Sequence, residues 1–146
     1  TAWIPFDGST PATGAMGYLP GSHRRGVREF VNIFTVSDRD AGDDTLARAE
    51  LRDIEPVFVE VPPGAVAFHH GLTFHLAKPN TTSTVRRVHT VIYLADGSTR
   101  GEGLFPHPSV ERAGIAMGEV IASDVTPVAW PRAAGDLPPA PKDTRR

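Results

Sequence analysis

Apolar and polar positions alternate in short runs over residues 1–95, and Gly and Pro break the runs apart. A period of two predicts strands whose side chains point to opposite faces. TAWIPF (residues 1–6) reads as a strand that ends at the turn pair Asp7-Gly8. Residues 8–22 hold Gly8, Gly14, Gly17, Gly21, Pro11 and Pro20 and read as a connection with tight turns. FVNIFTV (residues 30–36) is a second strand candidate. Asp43-Asp44-Thr45 offers N-cap chemistry, and Leu46, Ala47, Glu50, Leu51 and Ile54 follow at helical spacing. One short helix or two turns are expected there. VFVEV (residues 57–61) and AVAFHH (residues 65–70) are strands joined by the turn Pro62-Pro63-Gly64, and VRRVHTVIYLA (residues 85–95) is the longest strand.

Beyond Asp96-Gly97 the chain changes character. Residues 97–146 contain seven Pro, and only residues 109–122 suit a short helix, interrupted by Gly114 and Gly118. The end, PRAAGDLPPAPKDTRR, reads as a loose tail. The expected organisation is a β core over 1–96 and a Pro-rich extension of the same domain over 97–146. Short strands at regular spacing with turns between them give an all-β class, a sandwich or barrel.

Composition narrows the function classes. A length of 146 residues suits one domain or a piece of a larger one. Fifteen Lys+Arg against 17 Asp+Glu leave a net charge of −2 with no basic block. That argues against nucleic acid or an anionic membrane as partner. No long apolar run and no basic-then-apolar leader occur in the sequence. Without Cys there is no disulfide, thiolate zinc site or thiol nucleophile, so any metal must sit on His and carboxylate. This fits a reducing compartment, and a cytoplasmic location is expected. The chain opens on Thr1, without Met and inside a strand, which suggests a preceding segment.

Four of the six His (His69, His70, His75, His89) fall within 21 residues, on or beside the best strands. Each taken alone suits a satisfied polar or strand-surface position. On the last strand Arg86, Val88, Thr90 and Ile92 share one face, and Arg87, His89, Val91 and Tyr93 the other. Arg86 therefore points toward a core, where a guanidinium needs an anion. Its fork suits a carboxylate, either a structural Asp or Glu or that of a ligand.

The stretch PPGAVAFHHGLTFHLAKPNTTSTVRRVHTVIYL, with TAWIPFDGSTPATGAMGYLPGSHR before it, resembles the phytanoyl-CoA dioxygenase family of non-haem Fe(II), 2-oxoglutarate-dependent oxygenases. The resemblance covers about residues 1–95, and the tail segments DGSTRGEG, AGIAMGE and SDVTPVAWP also look like bacterial members. It implies a double-stranded β-helix, or jelly-roll, of the cupin type, N-terminally truncated in this chain. It also implies Fe(II), 2-oxoglutarate and O₂ as cofactor and cosubstrates and a small-molecule substrate hydroxylated at an aliphatic carbon. Matched to the family pattern, His75 in FHLAKPN takes the place of the distal iron ligand. Arg86, eleven residues on, takes that of the 2-oxoglutarate anchor, and Trp3 in TAW that of a cosubstrate-pocket aromatic. Two His and one carboxylate on one face leave open positions for cosubstrate and O₂.

Two departures stand out. No H-x-D or H-x-E occurs in the 146 residues, although the family pattern places H-x-D shortly before Trp3. Ala77 stands where many members carry Ser, which removes a hydroxyl near the cosubstrate. Among the remaining candidates, His70 and His23 read as structural, His89 as facing away from the site, His107 as a loop residue, and Trp130 as a core residue. Asp38, Asp40, Asp43 and Asp44 read as a solvated acidic run. Three functions remain open: the C-terminal part of an oxygenase, a degenerate non-enzymatic jelly-roll that binds a small acid or a partner, and a cupin-like metal isomerase or sugar-binding barrel. The last would need extra His or Glu ligands near His75. The substrate and the oligomeric state are not legible.

Overall fold

The computed structural model describes residues 1–26, 51, 53–102 and 107–130. They fall into two compact units, Thr1–Tyr93 and Leu94–Arg146. The expected strand at 30–36, most of the expected helix, the acidic run Asp38 to Asp44 and the tail lie outside the described residues.

The first unit holds two three-stranded antiparallel sheets. In one, β1 (Ala2–Pro5) lies between β4 (Ala67–Phe68) and β6 (Val88–Val91). In the other, β2 (Met16–Tyr18) lies between β3 (Val57–Phe58) and β5 (His75–Ala77). The all-β expectation holds. Each sheet is built from strands distant in sequence, so neither is a simple hairpin.

Register explains why elements are shorter than their sequence pattern. β6 pairs with β1 from Pro5↔Val88 to Ala2↔Val91, and Phe6 adds one N–H bond to the Arg87 carbonyl at 3.0 Å. The apolar alternation runs on to Ala95, but β1 is only four residues long. Ile92, Tyr93 and Leu94 lie exposed beyond it. Strand length is set by the partner as well as by the pattern.

β2 and β5 were not expected, since β2 lies inside the Gly-rich connection. Gly17 sits at its centre because the Phe58 ring lies on it. A Cβ there would come within 2.7 Å of Phe58 Cε1. A strand with Gly for packing reasons loses the alternation that would reveal it. The turn Pro62-Pro63-Gly64 forms as read, with the Ala65 N–H on the Pro62 carbonyl at 3.1 Å and Gly64 at φ 81°.

Ala2, Trp3, Pro5, Ala15, Leu19, Leu51 and Val61 are buried and form the core of the first unit. In the second unit α1 (Pro108–Arg112) is capped by the His107 ring, whose Nδ1 accepts from the Ser109 N–H at 3.3 Å. Gly114 at φ 67° follows it, so the expected helix over 109–122 is a single short one. Val110 and Ile115 are buried, and the Arg100 guanidinium ties the Ile115 carbonyl to the Glu111 carboxylate. Trp130, expected in the core, is 82% exposed, because among the described residues it lies beyond the bridge Ser123↔Thr126 and outside any strand or helix. Among the described residues no helix is long and apolar enough to cross a membrane.

Candidate active site

His75 opens β5 and pairs with Tyr18 across the β2–β5 ladder, so both side chains share one face. The ladder continues past the strand end, with the Leu19 N–H on the Phe74 carbonyl at 3.0 Å. Ser22, fully buried, then locks the corner. Its Oγ donates to the Leu19 carbonyl at 2.7 Å and accepts the Phe74 N–H at 2.9 Å. The residue before His75 is thus fixed by a buried hydroxyl 52 positions upstream.

The His75 Nδ1 lies 2.9 Å from the Thr73 carbonyl. A carbonyl only accepts, so this pairing puts the proton on Nδ1 and leaves the Nε2 lone pair free. That is the tautomer a metal ligand needs, with the backbone carbonyl orienting the ring.

The other sheet brings a second imidazole to the same place. Beyond β4, His69 and Thr1 exchange backbone bonds of 3.1 and 2.9 Å, which extends the ladder of Ala2↔Phe68 and Trp3↔Ala67. His69 therefore shares the face of Ala67 and Trp3. Its ring centroid is 4.7 Å from that of His75 and 5.2 Å from that of Tyr18, and Tyr18 and His75 are 6.3 Å apart. The planes are tilted by 40–47°. Burial, and after it the neighbouring His75, push His69 down to about 4. Burial raises the Tyr18 hydroxyl above its usual value. Both rings are therefore neutral at pH 7, and a neutral imidazole keeps a lone pair for a proton or a metal.

Trp3 is 4% exposed and pairs with Ala67 and Thr90, on the face that also carries His69. Thr90 and Val88 belong to that face by their pairing with Trp3 and Pro5, whereas Arg86 precedes the first residue of β6. Arg86 is half-buried and donates to the Gly14 carbonyl. It forms no ion pair with a carboxylate among the described residues. Its neighbour Arg87 forks onto Asp7, with bonds of 2.9 and 2.6 Å between exposed groups. Both Arg line one open groove with Asp7, Thr13 and Thr84. The two cations thus divide: Arg87 is paired with Asp7, and among the described residues Arg86 is held by a carbonyl alone.

The structure gathers His75 with His69 and Tyr18, while Trp3 lies on β1 of the first sheet and Arg86 at the groove that precedes β6. It leaves His89 on the outer face, stacked at 6.5 Å on Phe6. His70 accepts the Leu72 N–H on Nδ1 at 3.1 Å and lies 5.3 Å from His23 by ring centroids. Among the described residues neither ring pairs with those of His75, His69 or Tyr18. His107 is a helix cap. Ala77 pairs with Met16 and supplies no hydroxyl.

Sequence reasoning missed Tyr18 and gave His69 no role of its own. Tyr18 was hidden inside an unrecognised strand. The phase Ala67-His69 opposite Trp3 was the available signal for His69. Among the described residues no three His, Asp or Glu side chains cluster as a metal site. A second imidazole does lie beside His75, which supplies part of what a cupin-like reading requires.

Comparison with known proteins bears directly on this arrangement. The chain is 34% identical over 85 residues to a 1-deoxypentalenic acid 11-beta-hydroxylase of Streptomyces arenae, covering 56% of this chain and 29% of the relative. It is 28% identical over 96 residues to a phytanoyl-CoA dioxygenase domain-containing protein 1 homolog of Dictyostelium discoideum, covering 63% and 33%. The chain thus spans about a third of the length of the curated relatives it matches. Its fold is similar to the crystal structure of SnoK, a non-heme alpha-ketoglutarate-dependent carbocyclase from nogalamycin biosynthesis. The TM-score is 0.63 at 28% identity, over 86% of this chain and 46% of SnoK. That likeness agrees with the cupin-like jelly-roll expected from the sequence. The model of the phytanoyl-CoA dioxygenase family matches residues 1–88, which include β1 to β5, His75 and Arg86, and the chain belongs to that family.

Proposed function

We propose that this chain supplies the distal metal ligand and the cosubstrate anchor of a non-haem Fe(II)/2-oxoglutarate-dependent dioxygenase that hydroxylates an aliphatic carbon of a small organic molecule. The observation that carries the reading is Arg86. It is a half-buried guanidinium at the entry of β6, with no carboxylate partner among the described residues. A dicarboxylate cosubstrate provides the missing anion, and the guanidinium fork matches it in a bidentate way.

The residues present fit the metal in the part they cover. His75 carries its proton on the nitrogen that faces Thr73 and offers Nε2. The other two ligands of the family pattern do not occur as H-x-D in these 146 residues. Bound Fe(II) and 2-oxoglutarate supply the activation of O₂. The chain's own residues do the rest. Arg86 fixes the far carboxylate, Trp3 walls the pocket and excludes water, and the Ser22 corner sets the position of His75.

The hydroxylase among the relatives supports hydroxyl insertion as the outcome. SnoK, a carbocyclase by description, supports ring closure as the second outcome of the same oxidation. Neither identifies a substrate. The experiment is anaerobic Fe(II) titration of the full-length protein, followed by succinate formation from 2-oxoglutarate in air. One iron per chain and succinate dependent on both iron and 2-oxoglutarate are expected. A folded full-length protein that binds neither would transfer the chain to the non-enzymatic reading, a jelly-roll binding module.

A further inference from the structure

We propose that the Tyr18 hydroxyl and the His69 Nδ1 form a subsite beside His75 that holds an uncharged oxygen function, a hydroxyl or a carbonyl, of an organic substrate. The role of that group in a reaction rests on the oxygenase reading. The subsite itself stands on separate observations.

The first observation is that both atoms are buried and neither has a hydrogen-bond partner among the described residues. Leaving such a group unpaired costs about 1–3 kcal/mol. Native structures seldom keep one without a reason, and two on neighbouring rings call for a common one.

The second observation is where they sit. Tyr18 comes from the second sheet and His69 from the first, with ring centroids 5.2 Å apart. The two sheets thus bring these rings together, with both orphaned atoms buried. His75 closes the third side, 4.7 Å from His69 and 6.3 Å from Tyr18. A group held by the two orphaned atoms is in consequence placed beside the candidate metal ligand. All three rings are anchored on paired backbone, so the subsite is preorganised.

The third observation decides the chemistry. An anion would need a cation, and none is described against these rings. Among the described residues Arg86 lines the separate groove of Asp7, Thr13 and Thr84, Arg87 is paired with Asp7, and Arg25 is paired with Asp53. Lys78 lies over the Phe58 ring. A phenol can donate and accept, and so can an imidazole nitrogen according to tautomer. One substrate hydroxyl can accept from Tyr18 while donating to Nδ1, and a carbonyl can accept from both. The surrounding rings suit an apolar carbon frame. The arrangement divides the labour: Arg86 takes carboxylate, and Tyr18 with His69 orients the molecule whose C–H bond reacts.

The test uses the full-length protein and ligand-observed NMR with three probes of one frame: cyclohexanol, cyclohexanone and cyclohexanecarboxylate. Cyclohexanol and cyclohexanone should bind in preference to the carboxylate. Tyr18→Phe removes one oxygen and keeps the ring, so its fold is secure by melting temperature. It should weaken both neutral probes roughly five- to tenfold, the size of one neutral hydrogen bond. His69→Leu should do the same, and His69→Asn, which restores a polar atom near Nδ1, should recover binding. Equal affinity for wild type and Tyr18→Phe, or preference for the carboxylate, overturns the subsite. Succinate formation from 2-oxoglutarate is measured alongside. Its presence without probe discrimination retires the subsite alone, and probe discrimination without it retires the oxygenase reading alone.

Discussion

Arg86 reaches back 72 positions in the chain to donate to the carbonyl of Gly14. The contact ties the entry of β6 in one sheet to the approach of β2 in the other. Gly14 has φ +84°, and a Cβ there would stand 2.6 Å from the Arg86 guanidinium and 2.5 Å from the Lys78 carbonyl. The position therefore excludes a side chain twice over, by backbone conformation and by space. The guanidinium is held by a group that does not neutralise it, and its charge stays available to an anion in the groove.

The first prediction follows from that charge. In the full-length protein, Arg86→Ala should weaken 2-oxoglutarate by roughly a hundredfold or more, the scale of losing one partner of a desolvated ion pair. Iron affinity should stay near wild type, because Arg86 is not a ligand. Arg87→Ala should leave 2-oxoglutarate almost unaffected, since Arg87 is already paired with Asp7. Calorimetric titration of 2-oxoglutarate into the three proteins is the check. If Arg87→Ala carries the loss instead, the anchor is misassigned.

Gly14 and Gly21 make a matched pair for the second prediction. Both have positive φ, 84° and 77°, but a Cβ at Gly21 meets nothing within 4 Å. Gly21→Ala should cost about 1 kcal/mol, the strain of left-handed backbone alone. Gly14→Ala should cost clearly more and also weaken 2-oxoglutarate, because Arg86 and Lys78 must move. Urea denaturation separates the two, and equal losses would show that the close approach to Arg86 is not rigid.

How much of this was legible follows from what each signal depends on. The alternation of residues 85–95 located β6, whose Thr90 pairs with Trp3, but the strand covers only Val88–Val91 and Arg86 lies before it, outside the ladder that would set its face. β2 was not readable, because Gly17 is there to admit the Phe58 ring, and a residue chosen for close approach erases the periodic signal. Tyr18 was lost with it. The Ser22 corner was hidden for another reason: its two bonds join residues 3 and 52 positions apart, and no local pattern records such a pairing. The overreach on residues 85–95 and on Trp130 has one cause. Apolar pattern reports a capacity to be buried, and burial also needs a partner of sufficient length.

Ser22 gives the third prediction. Ser22→Ala removes one donor and one acceptor from a fully buried site and leaves the Phe74 N–H without its partner. Stability should fall by about 1–3 kcal/mol. Iron should also bind more weakly, because Phe74 precedes His75. Ser22→Thr keeps the hydroxyl and should retain most of the iron affinity if the extra methyl is accommodated. Loss of stability with unchanged iron binding in Ser22→Ala would make the corner structural only.

Acid titration provides the fourth. The Arg87 hydrogen bond holds the Asp7 carboxyl below its ordinary value of 3.8. A carboxylate with a depressed folded-state value contributes stability above pH 3.8, and the contribution is lost as pH falls through the folded value. Asp7 and Arg87 are exposed, so the effect should be small and should fade in high salt. Asp7→Asn should flatten that part of the stability profile below pH 4 at low salt. An unchanged profile would mean that the ion pair contributes nothing measurable.

The last prediction concerns residues 1–146 expressed alone. His75 is the one family-pattern ligand they contain, and no H-x-D occurs among them. A single imidazole does not hold Fe(II) against water, because affinity depends on several deprotonated ligands fixed together. The structure adds one complication, since His69 stands 4.7 Å from His75 by ring centroids. Two imidazoles at that separation can share a metal ion, yet two neutral ligands without a carboxylate still favour Zn(II) or Cu(II) over Fe(II). Anaerobic titration should therefore show weak Fe(II) binding and no succinate from 2-oxoglutarate, with His69→Ala lowering any residual metal affinity. The full-length protein should bind Fe(II) stoichiometrically, and His69→Ala should leave that stoichiometry intact. Tight Fe(II) binding by residues 1–146, abolished by His69→Ala, would instead make His69 a ligand and revive the cupin-like reading of this barrel.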